Sequence, residues 1–222
     1  MIEGFTKLFL GILFVYLGYK VMGAMTAVIL SFAVSIIFFI KPLKKFISLP
    51  KEHFSTKHIF FYSFPLFVMV VSLTTFFTLD VILVKHFFNE IDAGLYSALS
   101  LLGKIIFFGT ISISQVMFPK VSAEYSTNSN TAKLFMYSLL AVLFCVGSAL
   151  FVYFFFPTLL VSILFGKEFL PMVDLVGWFG LFIGLISLIY LTSFYLVSLH
   201  KFKFIWLLVV FNFIQFFLIF NY

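Results

Sequence analysis

Long apolar stretches separated by short polar connections dominate the chain, and they predict a membrane protein built of helices. A bilayer core needs about 20 apolar residues per spanning helix, and seven stretches approach or reach that length. They cover residues 5–18, 22–40, 59–84, 94–117, 135–156, 172–199 and 204–220. We therefore expect an all-α fold, a polytopic transmembrane helical bundle of about seven spans.

The first two stretches are separated only by Tyr19, Lys20 and Val21. Gly18 and Gly23 flank this break, and glycine adopts the positive φ angles that other residues avoid. The pattern predicts a tight helical hairpin.

Small and amide side chains inside the apolar stretches predict contacts between helices. Small residues let helix backbones approach closely in lipid, and side-chain amides form hydrogen bonds from one helix to another. In the last stretch, Asn212 and Gln215 share one helix face. The regularly spaced glycines are Gly4, Gly11 and Gly18 in the first stretch and Gly177, Gly180 and Gly184 in the sixth.

Two further residues predict local features of the helices. Pro65 removes one backbone hydrogen bond inside the third stretch, so we expect a kink there. Asn89 precedes Glu90, Ile91 and Asp92 and should cap the helix that starts at this point.

The composition supports the membrane assignment and excludes a soluble globular domain. Of the 222 residues, 64% are hydrophobic and only 10% are charged, whereas a soluble domain carries about 25% charged residues. The net charge of +6 arises from 14 lysines without any arginine. These lysines lie mainly in the short connections, which is typical of membrane topology rather than of nucleic-acid binding.

The lysines also predict the orientation of the chain. Most of them precede the first stretch or lie in the connections after the second, fourth and sixth stretches, which all fall on one side of the membrane. They are Lys7, Lys41, Lys44, Lys45, Lys51, Lys57, Lys120, Lys133, Lys201 and Lys203. Because basic connections stay in the cytoplasm, we expect a cytoplasmic N-terminus in the plasma membrane and an external C-terminus.

One charged residue lies near the middle of a predicted span. Lys104 is about ten residues from either end of the fourth stretch, and a charge at that depth costs about 2.5–3.5 kcal/mol on insertion scales. At helical spacing it is accompanied by Ser97, Ser100 and Gln115. This polar stripe fits a water-filled cavity that binds an anion. A structural lysine bonded to carbonyl groups or to a carboxylate of another helix is an equally good interpretation.

Asp80 is the second candidate, in the outer third of the third stretch. The next helix runs antiparallel, so we expect Asp80 and Lys104 to lie at similar depths, and one interpretation is a salt bridge between them that opens and closes. The plainer alternative is a hydrated carboxylate that pairs with Lys85 or with a helix end. No metal, phosphate-loop or nucleophile motif occurs, so we expect neither an enzyme nor a cofactor or metal site.

Three ordered groups of residues resemble a known family. The first is Leu79–Phe88 with Ala93–Ala98, the second is Phe118–Ser122, and the third is Leu164–Pro171. Together they resemble the polysaccharide transporter family, the Wzx-type flippases of the MATE-like exporter superfamily. The opening Ile2-Glu3-Gly4, with Leu17-Gly18-Tyr19 and Gly23-Ala24, is similar to the fifth and sixth helices of that family.

The resemblance implies a domain organisation. Residues 1–41 would be the last two helices of a first lobe, 42–58 a cytoplasmic linker, and 59–222 most of a second lobe. Such a chain would be a truncated member of a two-lobe fold. The linker is expected either to lie on the membrane surface as a short amphipathic helix or to be a solvated loop.

The resemblance also implies a function. Family members flip lipid-linked oligosaccharide for cell-surface polysaccharide biosynthesis by alternating access. The expected partners are that lipid, the membrane lipids, and the missing N-terminal lobe or glycan-assembly proteins, with no nucleic acid. Substrate binding would fall to Lys104, Ser97, Ser100, Gln115 and Asp80. A multidrug exporter of the same superfamily and a non-transporting scaffold subunit of a glycan-assembly complex are the alternatives.

Overall fold

The structure, a computed structural model, describes residues 2–47, 56–127 and 130–221, and these residues form helices without any strand. The α-helices are α1 Ile2–Phe14, α2 Lys20–Ile47, α3 Thr56–Phe76, α4 Leu79–Phe87, α5 Glu90–Ser126, α6 Ala132–Phe155, α7 Pro157–Leu164, α8 Val173–Ser198 and α9 Ile205–Phe220. A π-helical turn covers Val15–Tyr19, and a 3₁₀ helix covers Lys167–Met172.

The predicted all-α membrane fold is confirmed. Five segments in the described residues are long and apolar enough to cross a membrane, and α9 is a shorter apolar helix. The five are Glu3–Ile40, Ile59–Phe76, Glu90–Ser126, Ala132–Phe155 and Lys167–Ser198. The first of these contains both stretches of the predicted hairpin, and the number of seven crossings stays a prediction.

The chain divides into two compact units, Met1–Ser55 and Thr56–Tyr222. In the first unit, α1 packs against α2, and the chain reverses at Gly18 and Lys20, whose φ angles are +88° and +46°. A Cβ atom on Gly23 would lie 2.9 Å from Cβ of Phe14. The predicted hairpin is therefore confirmed, with one glycine at the turn and another where the helices touch.

Other predictions for the first unit fare differently. No atom lies within 4 Å of a Cβ built on Gly4 or Gly11. The small-residue face predicted for the first stretch is therefore not a contact face among the described residues of this unit. The backbone of α2 continues through Ile47, and the rest of the predicted linker, residues 48–55, lies outside the described residues.

In the second unit, α5 packs along α8, and α6 packs against both. Leu102, Val142 and Ile183 come from these three helices and are almost completely buried. The predicted contacts of the α8 glycines are confirmed, since a Cβ atom at each would overlap a side chain of α6. The overlaps are Gly177 with Phe154 at 2.5 Å, Gly180 with Tyr153 at 2.7 Å, and Gly184 with Val146 at 2.6 Å.

The third stretch, predicted as one span, is divided into two helices. Pro65 lies inside α3, whereas the interruption occurs later, at Phe77 and Thr78. Helix α9 supplies hydrogen-bond donors to the last turns of α3, where the carbonyl of Phe76 lacks a partner within the helix. Asn212 Nδ2 donates to the carbonyl of Ser72 over 3.1 Å, and Gln215 Nε2 donates to that of Phe76 over 3.2 Å. The predicted interhelical hydrogen bonds of these two amides are confirmed.

Candidate functional site

Helix α5 carries most of the candidate residues, and its start is fixed by Asn89. The Asn89 Oδ1 accepts a hydrogen bond from the backbone N–H of Asp92 over 2.8 Å, and its Nδ2 donates to the Asp92 carboxylate over 2.9 Å. This confirms the predicted cap, which satisfies a free N–H group at the helix end. Because the cap defines the first turn of α5, the candidate side chains further along project from the helix at regular angles.

Leu102 and Gly103, which directly precede Lys104, hold this part of α5 against its neighbours. The backbone carbonyl of Leu102 accepts a hydrogen bond from the hydroxyl of Tyr153 over 2.7 Å. A Cβ on Gly103 would lie 2.6 Å from Ile183 and 2.7 Å from Phe179. Close packing of α5 on α8 therefore depends on the missing side chain at position 103, which the sequence analysis did not single out.

Lys104 itself lies at the edge of this contact and is half-buried. Within the described ranges, no hydrogen bond or ion pair engages its amine. The carbonyl or carboxylate partner of the structural interpretation is thus not found there. The amine is free to bind an anionic group that approaches this side of α5, and this role stays a prediction.

The predicted polar stripe is divided by the packing of α5. Ser97, Lys104 and Gln115 lie within about 20° of one another around the helix axis, whereas Ser100 lies about 40° from Lys104 and about 60° from Ser97 and Gln115. Accordingly Ser97 and Gln115 are exposed, while Ser100 is 2% exposed and belongs to the interior. The Ser97 hydroxyl donates to the backbone carbonyl of Ala93 over 2.7 Å, so its oxygen remains available as an acceptor.

Asp80 lies in the first turn of α4 and is only 5% exposed. One carboxylate oxygen accepts a hydrogen bond from the Tyr96 hydroxyl over 2.7 Å, and the other accepts from the backbone N–H of Val81 over 2.8 Å. The described residues contain no ion pair between Asp80 and either Lys104 or Lys85. The expected partner at a helix end is present, and Tyr96 is a partner that sequence reasoning missed.

Asp80 and Tyr96 border a cavity of about 540 Å³. The rest of its lining is aromatic and aliphatic, from Val84, Phe87, Phe88, Leu218, Ile219 and Phe220. A carboxylate and a phenol at the wall of an apolar cavity can accept and donate hydrogen bonds to a bound molecule. The structure thus separates the predicted residues into two places, an open cationic face around Lys104 and a cavity around Asp80.

Comparison with known proteins places these residues within one matched segment. The sequence model of a family described as "Polysaccharide biosynthesis protein" matches residues 2–124, more than half of the chain. The match extends from α1 almost to the end of α5 and includes all five candidate residues. No curated protein and no solved structure matches the chain.

Proposed function

Because the chain belongs to the polysaccharide biosynthesis protein family, we propose that it moves a lipid-linked oligosaccharide across the cell membrane. The observation that supports this proposal best is Lys104, a half-buried amine of α5 for which the described residues provide no partner. Ionisable groups at membrane depth face a cavity or a partner. A phosphate that links a lipid to a glycan is the anionic partner that such an amine would bind.

The exposed neighbours of Lys104 suit the remainder of such a headgroup. Ser97 and Gln115 present hydroxyl and amide groups on the same face of α5, and these groups form hydrogen bonds with sugar hydroxyls. The lipid tail would remain in the bilayer while the headgroup passes along this face. Transport would follow alternating access, in which two lobes rock about a central site near the middle of the membrane.

The domain assignment belongs to the same proposal. Residues 1–41 would contribute the end of one lobe, 42–58 the linker, and 59–222 most of the other lobe. The face around Lys104 would then belong to the second lobe. A cytoplasmic N-terminus, as the lysine distribution predicts, is part of this proposal.

A second candidate function is export of organic cations, favoured by the cavity around Asp80. This cavity combines a carboxylate with the rings of Phe87, Tyr96 and Phe220, and cations bind to both kinds of group. We rank it second because the Asp80 carboxylate is already engaged by Tyr96 and by the backbone of α4.

Complementation distinguishes the two candidates. The intact protein would be expressed in a strain that lacks its own oligosaccharide flippase, and surface polysaccharide would be measured at equal membrane levels. Lys104→Ala should reduce export at least tenfold, Lys104→Arg should retain most of it, and Lys167→Ala, which removes an exposed lysine elsewhere, should leave it unchanged.

Undiminished export by Lys104→Ala would remove this residue from the mechanism. Failure of the unmodified chain to restore any export would instead favour the scaffold role. If Asp80→Asn abolished resistance to organic cations while polysaccharide export stayed absent throughout, the second candidate would replace the first.

A further inference from the structure

A groove of about 460 Å³ runs between α5 and α6, apart from the Lys104 face and the Asp80 cavity. Its walls combine two lines of side chains, one from each helix. They are Ser112, Ile113, Val116, Met117 and Lys120 of α5 and Leu134, Tyr137, Ser138 and Ala141 of α6. Towards the end of α5 and the start of α6, Lys120 and Tyr137 contribute polar groups beside Met117 and Leu134, and further along Ile113, Val116 and Ala141 are apolar.

The polar end of the groove is positively charged. Lys120 lines it, and the amine of Lys133 lies 6.0 Å from the ring centroid of Tyr137, which also lines it. Glu124 is one turn beyond Lys120, yet neither lysine forms an ion pair within the described ranges. Lys120 in the lining, Lys133 beside the ring of Tyr137 and the Tyr137 hydroxyl are therefore groups of the kind that bind a phosphate.

The apolar end continues far enough to hold part of a hydrocarbon chain. Lys120 lies seven positions after the apolar Ile113 in α5, which corresponds to about 10 Å along a helix. Ser138 and Ala141 are small, so they leave space beside Val116 of the opposite wall. A charged entrance that leads into an apolar groove is complementary to an amphiphile with an anionic head.

The surroundings of the groove identify the source of that amphiphile. Its α6 side is flanked by Leu140 and Phe144, which are 56% and 76% exposed. Apolar side chains this exposed on a membrane helix face lipid, so the groove opens sideways to the bilayer. A lipid can enter it directly, whereas a soluble anion would have to approach past these hydrocarbon side chains.

We propose that this groove binds an anionic phospholipid of the surrounding bilayer. The lipid phosphate lies between Lys120 and Lys133 with the hydroxyl of Tyr137 as a donor, and one acyl chain follows Val116 and Ala141. Basic sites between membrane helices near one membrane surface commonly hold acidic lipids. This binding does not depend on the transported substrate and would persist if the proposed function were wrong.

Native mass spectrometry of the detergent-purified full chain tests the proposal. The protein is titrated with phosphatidylglycerol, and with phosphatidylcholine as the neutral probe. We expect one saturable phosphatidylglycerol that phosphatidylcholine does not replace. Each lysine near a membrane surface contributes about a fivefold gain in affinity, so the double variant Lys120→Gln with Lys133→Gln should bind about 30-fold more weakly.

Matched variants distinguish lipid binding in the groove from general electrostatic attraction of the lipid to the protein. Lys201→Gln with Lys203→Gln removes the same charge from exposed positions and should leave the tight binding unchanged. Ala141→Phe fills the groove without changing charge and should weaken binding about tenfold, whereas Leu140→Phe, on the neighbouring outer face, should not. Circular dichroism verifies that each variant is folded.

Three outcomes would overturn the proposal. The first is equal weakening by both pairs of lysine substitutions. The second is unchanged binding in Ala141→Phe. The third is displacement of phosphatidylglycerol by millimolar inorganic phosphate, which would indicate a site for a free anion.

Discussion

The hydroxyl of Tyr96 donates a hydrogen bond to the buried carboxylate of Asp80 over 2.7 Å, and this contact joins the first turn of α4 to α5. Removing the hydroxyl leaves a buried carboxylate whose one remaining partner among the described residues is the N–H of Val81. A lost hydrogen bond to a charged group costs about 1.5–3 kcal/mol. We therefore expect Tyr96→Phe to lower the free energy of unfolding by that amount, measured by reversible denaturation in mixed micelles.

The control for this prediction is Tyr125→Phe. Tyr125 is exposed, and its ring stacks on that of His200 with 5.9 Å between the ring centroids. No hydrogen bond to the Tyr125 hydroxyl occurs within the described ranges. This substitution should change stability by less than about 0.5 kcal/mol. Equal effects of the two substitutions would show that the bond to Asp80 contributes nothing specific.

The second prediction concerns Asn212, whose Nδ2 donates to the carbonyl of Ser72 while its own Oδ1 is buried without a partner among the described residues. Asn212→Leu removes both the bond and the unpaired oxygen. Interhelical hydrogen bonds in membranes average only about 0.6 kcal/mol, so the loss of stability should stay below about 1 kcal/mol. Asn212→Asp is isosteric, but it places an acceptor against the Ser72 carbonyl and should be clearly more damaging.

Thermal unfolding in detergent measures that order. A more stable Asp variant than Leu variant would mean that the Asn212 side chain is turned away from α3.

The third prediction compares two glycines of α5. A Cβ on Gly103 would meet Ile183 at 2.6 Å, whereas nothing lies within 4 Å of a Cβ on Gly109. Overpacking costs about 1–3 kcal/mol, and alanine is favoured over glycine in a helix by about 1 kcal/mol. Gly103→Ala should therefore destabilise the protein, while Gly109→Ala should be neutral or stabilising in the same unfolding assay. Equal effects would contradict the close packing of α5 on α8.

The fourth prediction concerns orientation. Ser126, at the end of α5, and Lys167, after α7, lie beyond opposite ends of α6, whose 24 residues span about 36 Å. In a Cys145→Ser background, we expect a membrane-impermeant maleimide to label Lys167→Cys in intact cells and Ser126→Cys only after lysis. Labelling in the opposite order would reverse the orientation predicted from the lysines.

The apolar stretches predicted the long helices well. The fifth stretch, 135–156, closely matches α6, and the fourth, 94–117, falls entirely inside the longer α5. This is possible because the thickness of the bilayer sets the length of a spanning run, and the absence of water inside the bilayer requires that run to be helical. The interruption at Phe77 and Thr78 was not predictable, because residues 66–84 contain neither glycine nor proline.

The candidate site was predictable only in part. A lysine in the middle of an apolar run is conspicuous because a charge at membrane depth costs free energy, so Lys104 was evident from the sequence. Helical spacing placed Ser100 beside it, but the packing of α8 decides which edge of α5 is covered, and Ser100 is buried. No periodicity connects Asp80 with Tyr96, which lies on another helix, so their hydrogen bond required coordinates.

The contact at Gly103 also governs its neighbour. With no side chain there, α5 presses against Ile183 and Phe179, and this fit sets the rotation of the helix about its own axis. Any bulkier residue at position 103 would push against these two side chains and rotate α5 about its axis. The direction in which the Lys104 amine points thus depends on the missing side chain at position 103. Substitutions at 103 should therefore change the direction of this amine although Lys104 itself is unaltered.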